Sequence, residues 1–350
     1  MNYMEENKLV KNLALGFSFL RTLNFNIQGQ ALPIISNLIS SSKKNNQVNL
    51  SEHLKIARPK IEKLLREDSE NIARGDYPLS VLKPENIFKH VQRIPLVYID
   101  AIQAAFRKRN KQSKKFNKSQ AELLKELPAY YRRNFHFQTD GYLGETSAKL
   151  YEHQVEILFS GAANAMRRMI IPKMKKHFKK SDGEGLKFLE IGSGTGSLTK
   201  FIALAFPKAQ ITCLDLSREY LNMATENLTE FQRINYVQGA AEKTDFQSRS
   251  FDAVFSCFLF HELPKEVRQD VTKESYRILK AGGLYGCVDS LQLNDDPDFN
   301  WALEKFPIDF HEPFFKDYTL KPLDVLLKQN KFKKIETDLG FLAKCVTGSK

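Results

Sequence analysis

The sequence of 350 residues has no long hydrophobic run. Its most apolar early stretch, LALGFSFL at residues 13–20, is far shorter than the roughly 18 to 20 residues of a membrane-spanning helix. Arg21 closes this stretch, and no small-residue cleavage site follows closely. We therefore expect neither a membrane span nor a signal peptide.

Cysteine is also scarce, with four residues in the whole chain. Cys213, Cys257, Cys287 and Cys345 are far apart, and each lies in an apolar, strand-like run. They show neither the spacing of a metal site nor a disulfide framework. This usage is typical of buried thiols in a reducing compartment, so we expect a cytoplasmic protein without a metal site.

Charge is plentiful but unevenly placed. The sequence has 53 Lys and Arg against 41 Asp and Glu, a net charge of +12. The basic excess lies in residues 1–180, whereas the remainder is slightly acidic. A basic half is compatible with nucleic acid, an anionic membrane, acidic substrates or a solubilising face.

Residues 7–109 carry apolar side chains three and four positions apart, which indicates helices. Prolines are expected to break this pattern at Pro59, Pro78, Pro84 and Pro95. The spacing predicts a helical N-terminal domain over residues 1–126.

Residues 127–180, called the connector below, are rich in aromatic and polar side chains. Thr146 or Ser147 is placed to cap a helix that continues to about Met174. We expect a helical connector, followed by a boundary loop near residues 181–185.

From residue 186 onward, short apolar runs alternate with helical segments. This order predicts an α/β fold with a doubly wound parallel sheet over residues 181–350. The tail holds two strand-like runs, KFKKIETD and GFLAKCVTG, with a turn expected at about Leu339 and Gly340. These runs predict a closing hairpin.

A glycine-rich turn, FLEIGSGTGSLT at residues 188–199, follows the first predicted strand. The lysine of a phosphate-binding loop is missing after Gly196, which argues against ATP or GTP hydrolysis. Asp215 ends the second predicted strand, where an acid binds a ribose diol of either a dinucleotide or S-adenosylmethionine. Glu190 decides between them, because an acid beside the turn repels a pyrophosphate but supports an ammonium group.

Five motifs, in order, resemble those of class I S-adenosylmethionine-dependent methyltransferases. They are ExGxGxG at residues 190–196, LDLS at 214–217, GAAEKTDF at 239–246, FDAVFSCFLFHELP at 251–264 and RILKAGGLYG at 277–286. The chain is most similar to the ubiquinone/menaquinone biosynthesis C-methyltransferase-like group (methyltransferase type 11/25). The resemblance implies a seven-stranded Rossmann-like sheet with a reversed C-terminal hairpin, and S-adenosyl-L-methionine as the cofactor.

The resemblance also implies a set of cofactor-binding residues. The glycine turn would pass beside the methionine moiety, Asp215 would bind the ribose, and residues 240–242 would border the adenine, although the group commonly has Asp or Asn where this chain has Ala240. The full implied set is Glu190, Gly192, Ser193, Gly194, Gly196, Asp215, Leu216, Ala241, Glu242 and Ser256.

Methyl transfer from a sulfonium needs an aligned acceptor and, for some acceptors, a general base. His261, which follows the fourth predicted strand, is the first candidate, because histidine titrates near neutrality and can accept a phenol or enol proton. Tyr142 and His311 are the next candidates.

Aromatic residues on both sides of the core predict an apolar lid over the acceptor. One side is the connector from Tyr130 to Tyr151, and the other is a long loop expected at residues 291–318. The favoured function is methylation of a small molecule on O, C or N. The alternatives are an RNA or protein methyltransferase that docks through its basic half, and a binding module without acceptor chemistry. RNA is disfavoured because SCFL, and not a DPPY-like or NPPF-like tetrapeptide, follows the fourth strand. The oligomeric state stays open.

Overall fold

The computed structural model describes residues 3–39, 50–112, 116, 118–133 and 135–350. The N-terminal part is helical, as predicted. Its helices are α1 (Tyr3–Ile39), α2 (Leu50–Ala73), α3 (Ile87–Arg109) and α4 (Lys118–Glu126). The prediction that Pro59 and Pro95 break helices was wrong, because both lie inside one. Buried apolar residues such as Leu64 and Val97 follow the prolines, and their packing outweighs the single lost hydrogen bond.

The connector forms three helices instead of the single helix predicted through Met174. They are α5 (Glu145–Leu158), α6 (Ala163–Arg168) and α7 (Ile170–His177). Gly161 separates the first two with φ +80°, in the left-handed region where helices end. Neither Thr146 nor Ser147 caps α5, since Gly144 occupies the cap position and no side chain accepts the hydrogen bond.

The second half forms one seven-stranded sheet in the order β3-β2-β1-β4-β5-β7-β6. Its strands are β1 (Lys187–Ile191), β2 (Gln210–Asp215), β3 (Ile234–Gln238), β4 (Phe251–Cys257), β5 (Leu279–Ser290), β6 (Lys333–Gly340) and β7 (Ala343–Ser349). The first five strands pair in parallel, whereas β7 is antiparallel to both β5 and β6. The predicted sheet and its reversed C-terminal hairpin are confirmed, but the hairpin turn lies at Phe341 and Leu342, because Leu339 and Gly340 still pair within β6.

Both faces of the sheet are covered by helices. The remaining helices are α8 (Ser197–Ala205), α9 (Arg218–Asn227), α10 (Lys265–Ile278), α11 (Asn300–Phe310), α12 (Phe315–Thr319) and α13 (Leu323–Gln329). Adjacent residues of β1 point to opposite faces, so Phe188 joins one buried apolar cluster and Leu189 joins another. The strand order reverses between β1 and β4, which opens a crevice at their carboxyl ends.

The segment 291–318 is not the long loop that the sequence predicts. It contains α11 and α12 and a short turn of helix at Pro297–Phe299. Pro307 lies inside α11, and Leu303 and Phe315 are buried against the core. Tertiary packing therefore stabilises helices that the local sequence, rich in Pro and Asp, does not predict.

The cysteines and the helix lengths give two further results. All four cysteines are free thiols, and Cys213, Cys287 and Cys345 are buried in strands. Among the described residues, no helix combines the length and the apolar character needed to cross a membrane.

Candidate functional site

A cavity lies at the carboxyl ends of β1 and β2, and we call it the glycine-turn cavity. The turn after β1 and the residue that ends β2 form its floor. Its lining includes Glu190, Gly192, Ser193, Gly194, Asp215, Leu216, Ala241 and Glu242. Eight of the ten residues implied by the resemblance are therefore brought together here.

The glycine turn needs glycine because of its backbone conformation. Gly192 has φ +64° and Gly194 has φ +54°, and a Cβ atom on Gly192 would lie 2.9 Å from Leu259 Cδ1. Asp215 holds the turn in place: its Oδ2 accepts a hydrogen bond from the Gly194 amide at 2.8 Å, and its Oδ1 accepts one from the Ser217 amide at 2.8 Å. Each carboxylate oxygen retains a lone pair for another donor.

Acidic side chains dominate the charge of this cavity. Five carboxylates line it, against the single guanidinium of Arg167: Glu152, Glu190, Asp215, Glu242 and Glu262. Burial raises the pKa of Glu190 to about 8 and that of Asp215 to about 6. A cationic ligand would restore the charged forms of these acids, whereas a pyrophosphate would be repelled.

The connector closes the cavity with aromatic rings. The Tyr130 hydroxyl donates to Glu242 Oε1 at 2.8 Å, and the Tyr142 hydroxyl donates to Glu262. The ring of Tyr142 lies edge-on to Tyr220, with 5.3 Å between centroids. Burial, followed by the charge of Glu262, raises the pKa of Tyr142 well above its ordinary value. The raised pKa favours the neutral phenol, whose hydroxyl donates to Glu262.

A second cavity adjoins the first, and we call it the apolar cavity. Tyr151, Phe258 and Glu262 line both cavities. The rest of its lining is mainly apolar and comes from α5, α11 and α12, for example Val155, Leu303, Phe306 and Phe315. Its polar lining includes His136, His261 and Ser290. A ligand in this cavity would approach the glycine-turn cavity at the three shared residues.

His261 lines the apolar cavity and is oriented by a carboxylate. Its Nδ1 lies 2.6 Å from Asp289 Oδ1, while Asp289 Oδ2 accepts hydrogen bonds from the amides of Leu259 and Phe260. Burial by itself lowers the pKa of His261, but the charge and the hydrogen bond of Asp289, together with the charge of Glu262, outweigh burial, so the pKa lies above the ordinary value. The remaining ring nitrogen, Nε2, is 4.0 Å from Glu262 Oε1.

Three residues of the sequence-based set lie elsewhere. Gly196, with φ +81°, occupies the N-cap of α8, where a Cβ atom would meet Leu228 Cδ1 at 2.6 Å. Ser256 is buried within β4. His311 follows α11 in a left-handed conformation, and its ring packs on Phe137 at 5.0 Å. Among the residues that the structure describes, neither cavity has Gly196, Ser256 or His311 in its lining.

Two charged residues of the site were not found from the sequence. Glu152 on α5 and Arg167 on α6 form an ion pair of 2.9 Å at the wall of the glycine-turn cavity. The Arg167 guanidinium also lies 5.7 Å from the centroid of the Phe258 ring. A single charged residue on a helix has no distinctive pattern, so only the fold reveals this pair.

Comparison with known proteins agrees with this geometry. Residues 188–283 match the family model described as a methyltransferase domain. The chain contains a class I methyltransferase domain. S-adenosylmethionine is the cofactor of this class, and the acid-lined cavity beside a glycine turn fits its sulfonium and ammonium cations.

The methyltransferase domain resembles named relatives over part of their length. It is 28% identical over 179 residues to the fatty-acid O-methyltransferase of Mycolicibacterium smegmatis, covering 50% of this chain and 58% of the relative. It is 34% identical over 137 residues to the demethylmenaquinone methyltransferase of Chlorobaculum tepidum, covering 39% and 53%. The chain thus spans about half the length of such relatives.

A solved structure also resembles the domain. It is a putative S-adenosylmethionine-dependent methyltransferase from Methanococcus maripaludis, 22% identical, with a TM-score of 0.44. The match covers 60% of this chain and 94% of that one.

Proposed function

We propose that this chain transfers a methyl group from S-adenosylmethionine to a small-molecule acceptor, on an O, C or N atom. The observation that carries the proposal is the junction of two unlike cavities. One is acidic and adjoins the glycine turn, the other is apolar, and they meet at Tyr151, Phe258 and Glu262. A cationic methyl donor and a lipophilic acceptor would meet at that junction.

The cofactor would be held by the residues that the resemblance implies. Glu190 and the backbone of residues 192–194 would hold the methionine moiety, Asp215 the ribose, and Leu216, Ala241 and Glu242 the adenine side. Gly196 and Ser256 would act indirectly, Gly196 by allowing the turn to enter α8 and Ser256 from within β4.

The acceptor would occupy the apolar cavity under an aromatic lid. The lid consists of the connector on one side and α11 with α12 on the other, and it would exclude water from the methyl group. The names of two relatives support a lipophilic acceptor, since they specify a fatty acid and a demethylmenaquinone. We also propose that residues 1–126, 127–180 and 181–350 are the three units of the chain, the second of which carries this part of the lid.

When bound, S-adenosylmethionine would supply an activated methyl group on a sulfonium: the acceptor would bond to it with its own electron pair, and the electrons of the carbon–sulfur bond would stay on sulfur. An acceptor that carries a proton loses it in or before this step. His261 would accept that proton at Nε2, because Asp289 fixes the ring through Nδ1 and stabilises the imidazolium that forms. Tyr142 would orient Glu262 by its hydrogen bond. His311, whose ring packs on Phe137, would act indirectly.

The proposal is tested by following a labelled methyl group. The protein is incubated with methyl-labelled S-adenosylmethionine and a lysate that is afterwards divided into organic-extractable small molecules, RNA and protein. We expect the label in the small-molecule fraction. Label in RNA or protein would support the alternative in which the basic N-terminal half docks a macromolecule.

Paired variants make this test specific to the cavity. Asp215→Asn loses a charged acceptor of two backbone amides, and we expect the affinity for S-adenosylmethionine to fall roughly 10- to 100-fold. Asp245→Asn changes an exposed acid after β3 and should leave the affinity and transfer unchanged. If calorimetry detects no binding of S-adenosylmethionine to the unaltered chain, the proposed function fails.

A further inference from the structure

We propose that His136, Glu262 and Glu312 bind one divalent metal ion at the inner wall of the apolar cavity. The three side chains come from separate segments: the turn before α5, the turn after β4 and the loop between α11 and α12. The fold brings one candidate ligand atom of each residue to within 4.8 Å of the others. This metal site goes beyond methyl transfer and does not depend on it.

The two distances from His136 to the carboxylates of this group are those of ligands that share an ion. His136 Nε2 lies 3.3 Å from Glu312 Oε1 and 3.4 Å from Glu262 Oε1. Ligands at about 2.1 Å from one metal ion, separated by angles of about 90° to 110°, lie roughly 3.0 to 3.5 Å apart.

Direct contacts between histidine and carboxylate in the same protein are much shorter. The distance is 2.6 Å for His261 and Asp289, and 2.7 Å for His90 and Glu85. Charge-assisted hydrogen bonds of this kind fall at about 2.7 to 2.9 Å. His136 Nε2 therefore makes only long contacts with its two carboxylates, and it also lies 3.1 Å from the Tyr142 hydroxyl. The two long histidine–carboxylate distances fit ligands that share an ion.

The surroundings of Glu312 support the metal site independently of these distances. Its side chain is fully buried, and neither carboxylate oxygen accepts a hydrogen bond from any residue that the structure describes. The nearby cation, Arg133, is directed elsewhere: its Nε donates to the Tyr130 carbonyl, and its guanidinium covers the Phe314 ring at 4.7 Å. A buried carboxylate in this state either takes up a proton or binds a cation in direct contact, and the neighbouring His136 and Glu262 favour the cation.

The surroundings of the group suit a metal ion that also binds a ligand. The Tyr142 hydroxyl donates to Glu262 and so orients that carboxylate, as outer partners of metal ligands do. Three protein ligands leave coordination positions open, and His136 and Glu262 both line the apolar cavity. A hydroxyl or carboxylate oxygen of a ligand in that cavity would complete the coordination.

The donor set restricts the identity of the ion. One imidazole nitrogen with two carboxylates suits Zn²⁺ or Mn²⁺ better than the all-oxygen sites of Mg²⁺ and Ca²⁺. A divalent ion with two carboxylates is electrically neutral, so it would not repel a cationic ligand in the adjoining cavity. A ligand of the apolar cavity that completes the coordination would therefore carry an oxygen atom that can bind the metal ion.

The test measures metal binding by the full chain after it has been stripped with a chelator. Zn²⁺ is titrated by calorimetry, and Mn²⁺ by the loss of the free-ion signal in electron paramagnetic resonance. We expect one ion per chain, and a loss of affinity of more than about 100-fold in both Glu312→Gln and His136→Gln.

The matched control is Glu85→Gln, which alters a second histidine–carboxylate group, found among the described residues, that a metal could occupy. It should keep the stoichiometry and leave the affinity within twofold of the unaltered chain. No binding by the unaltered chain, normal binding by Glu312→Gln, or a loss confined to Glu85→Gln would each overturn the assignment.

A second measurement covers the case in which the variants do not fold. Co²⁺ bound to the unaltered chain should show stronger visible absorption than the hydrated ion, whereas an unchanged hydrated-ion spectrum would refute the site. Affinity for S-adenosylmethionine is measured in parallel and should be within twofold of normal in Glu312→Gln. Failure of cofactor binding would count against the proposed function, and failure of metal binding against the metal site.

Discussion

Glu190 is a buried carboxylic acid at the end of β1, beside the glycine turn. Its pKa of about 8 lies above the ordinary value of 4.5 because burial disfavours the charged form. Protonation of Glu190 therefore stabilises the ligand-free fold. This contribution to the free energy of unfolding is fully present below about pH 4.5 and is lost as the pH rises through about 8. A bound cation would reverse this preference and lower the pKa of Glu190.

We expect cofactor binding to release a proton from Glu190. At pH 7 the release from this residue should be close to one proton, and it should vanish above about pH 9. Calorimetry in two buffers with different ionisation heats measures the number of protons. The Glu190→Gln variant has no carboxyl proton at this position, so it measures the protons that come from the cofactor and from other groups. If this variant releases as many protons as the unaltered chain, the expectation is contradicted.

Residues of the site differ in how far the sequence predicts them. Glu190, the glycines and Asp215 lie in one strand–turn–helix–strand segment, so their local pattern predicts both the turn and the acids around it. His136 and Glu312 have side chains that can bind a metal ion, but their local sequence does not single them out. Their approach to Glu262 depends on packing between three distant segments, which no local pattern specifies.

At the scale of elements, Gly161 is the position that divides the connector. It combines φ +80° with a close approach to α1, where an added Cβ atom would lie 2.9 Å from Thr22 Cα. A backbone neighbour cannot move aside as a flexible side chain does. The connector helices and α1 therefore depend on glycine at this crossing.

We expect Gly161→Ala to lower the free energy of unfolding by about 3 kcal/mol, the sum of left-handed strain and overpacking. Gly75→Ala is the matched control, with φ +75° and no heavy atom within 4 Å of the added Cβ atom. It should cost only about 1 kcal/mol, from the backbone strain. Urea denaturation measures both values, and equal losses would show that the contact with α1 contributes nothing.

Dependence on tertiary packing also explains why the sequence did not predict some helices correctly. Strands and helices of the sheet follow clear apolar periods, and the structure has them in the expected order. α11 contains Pro307 and follows a stretch with three acids, so local signals favour a loop. Burial of Leu303 and the contact of Phe306 with Phe315, at 4.8 Å between centroids, hold the helix instead.

At the scale of the whole molecule, a buried ion pair joins the N-terminal helices to the connector. Asp68 on α2 receives two hydrogen bonds from Arg168 on α6, of 2.8 and 2.7 Å, and a third from the Tyr77 hydroxyl at 2.6 Å. The Arg168 guanidinium also lies 4.8 Å from the centroid of the Phe201 ring on α8. Both charged side chains are almost completely buried.

Removing one charge of this pair should leave the other buried without compensation. We therefore expect Asp68→Asn to lower the free energy of unfolding by about 3 to 5 kcal/mol. Glu62→Gln is the control on the same helix, because it breaks an exposed pair with Arg66 and should cost less than about 0.5 kcal/mol. Urea denaturation gives both values, and calorimetry should show normal affinity for S-adenosylmethionine in each folded variant, since Asp68 lines neither cavity. A loss for Asp68→Asn no larger than that for Glu62→Gln would mean that the N-terminal helices attach to the connector without help from this pair.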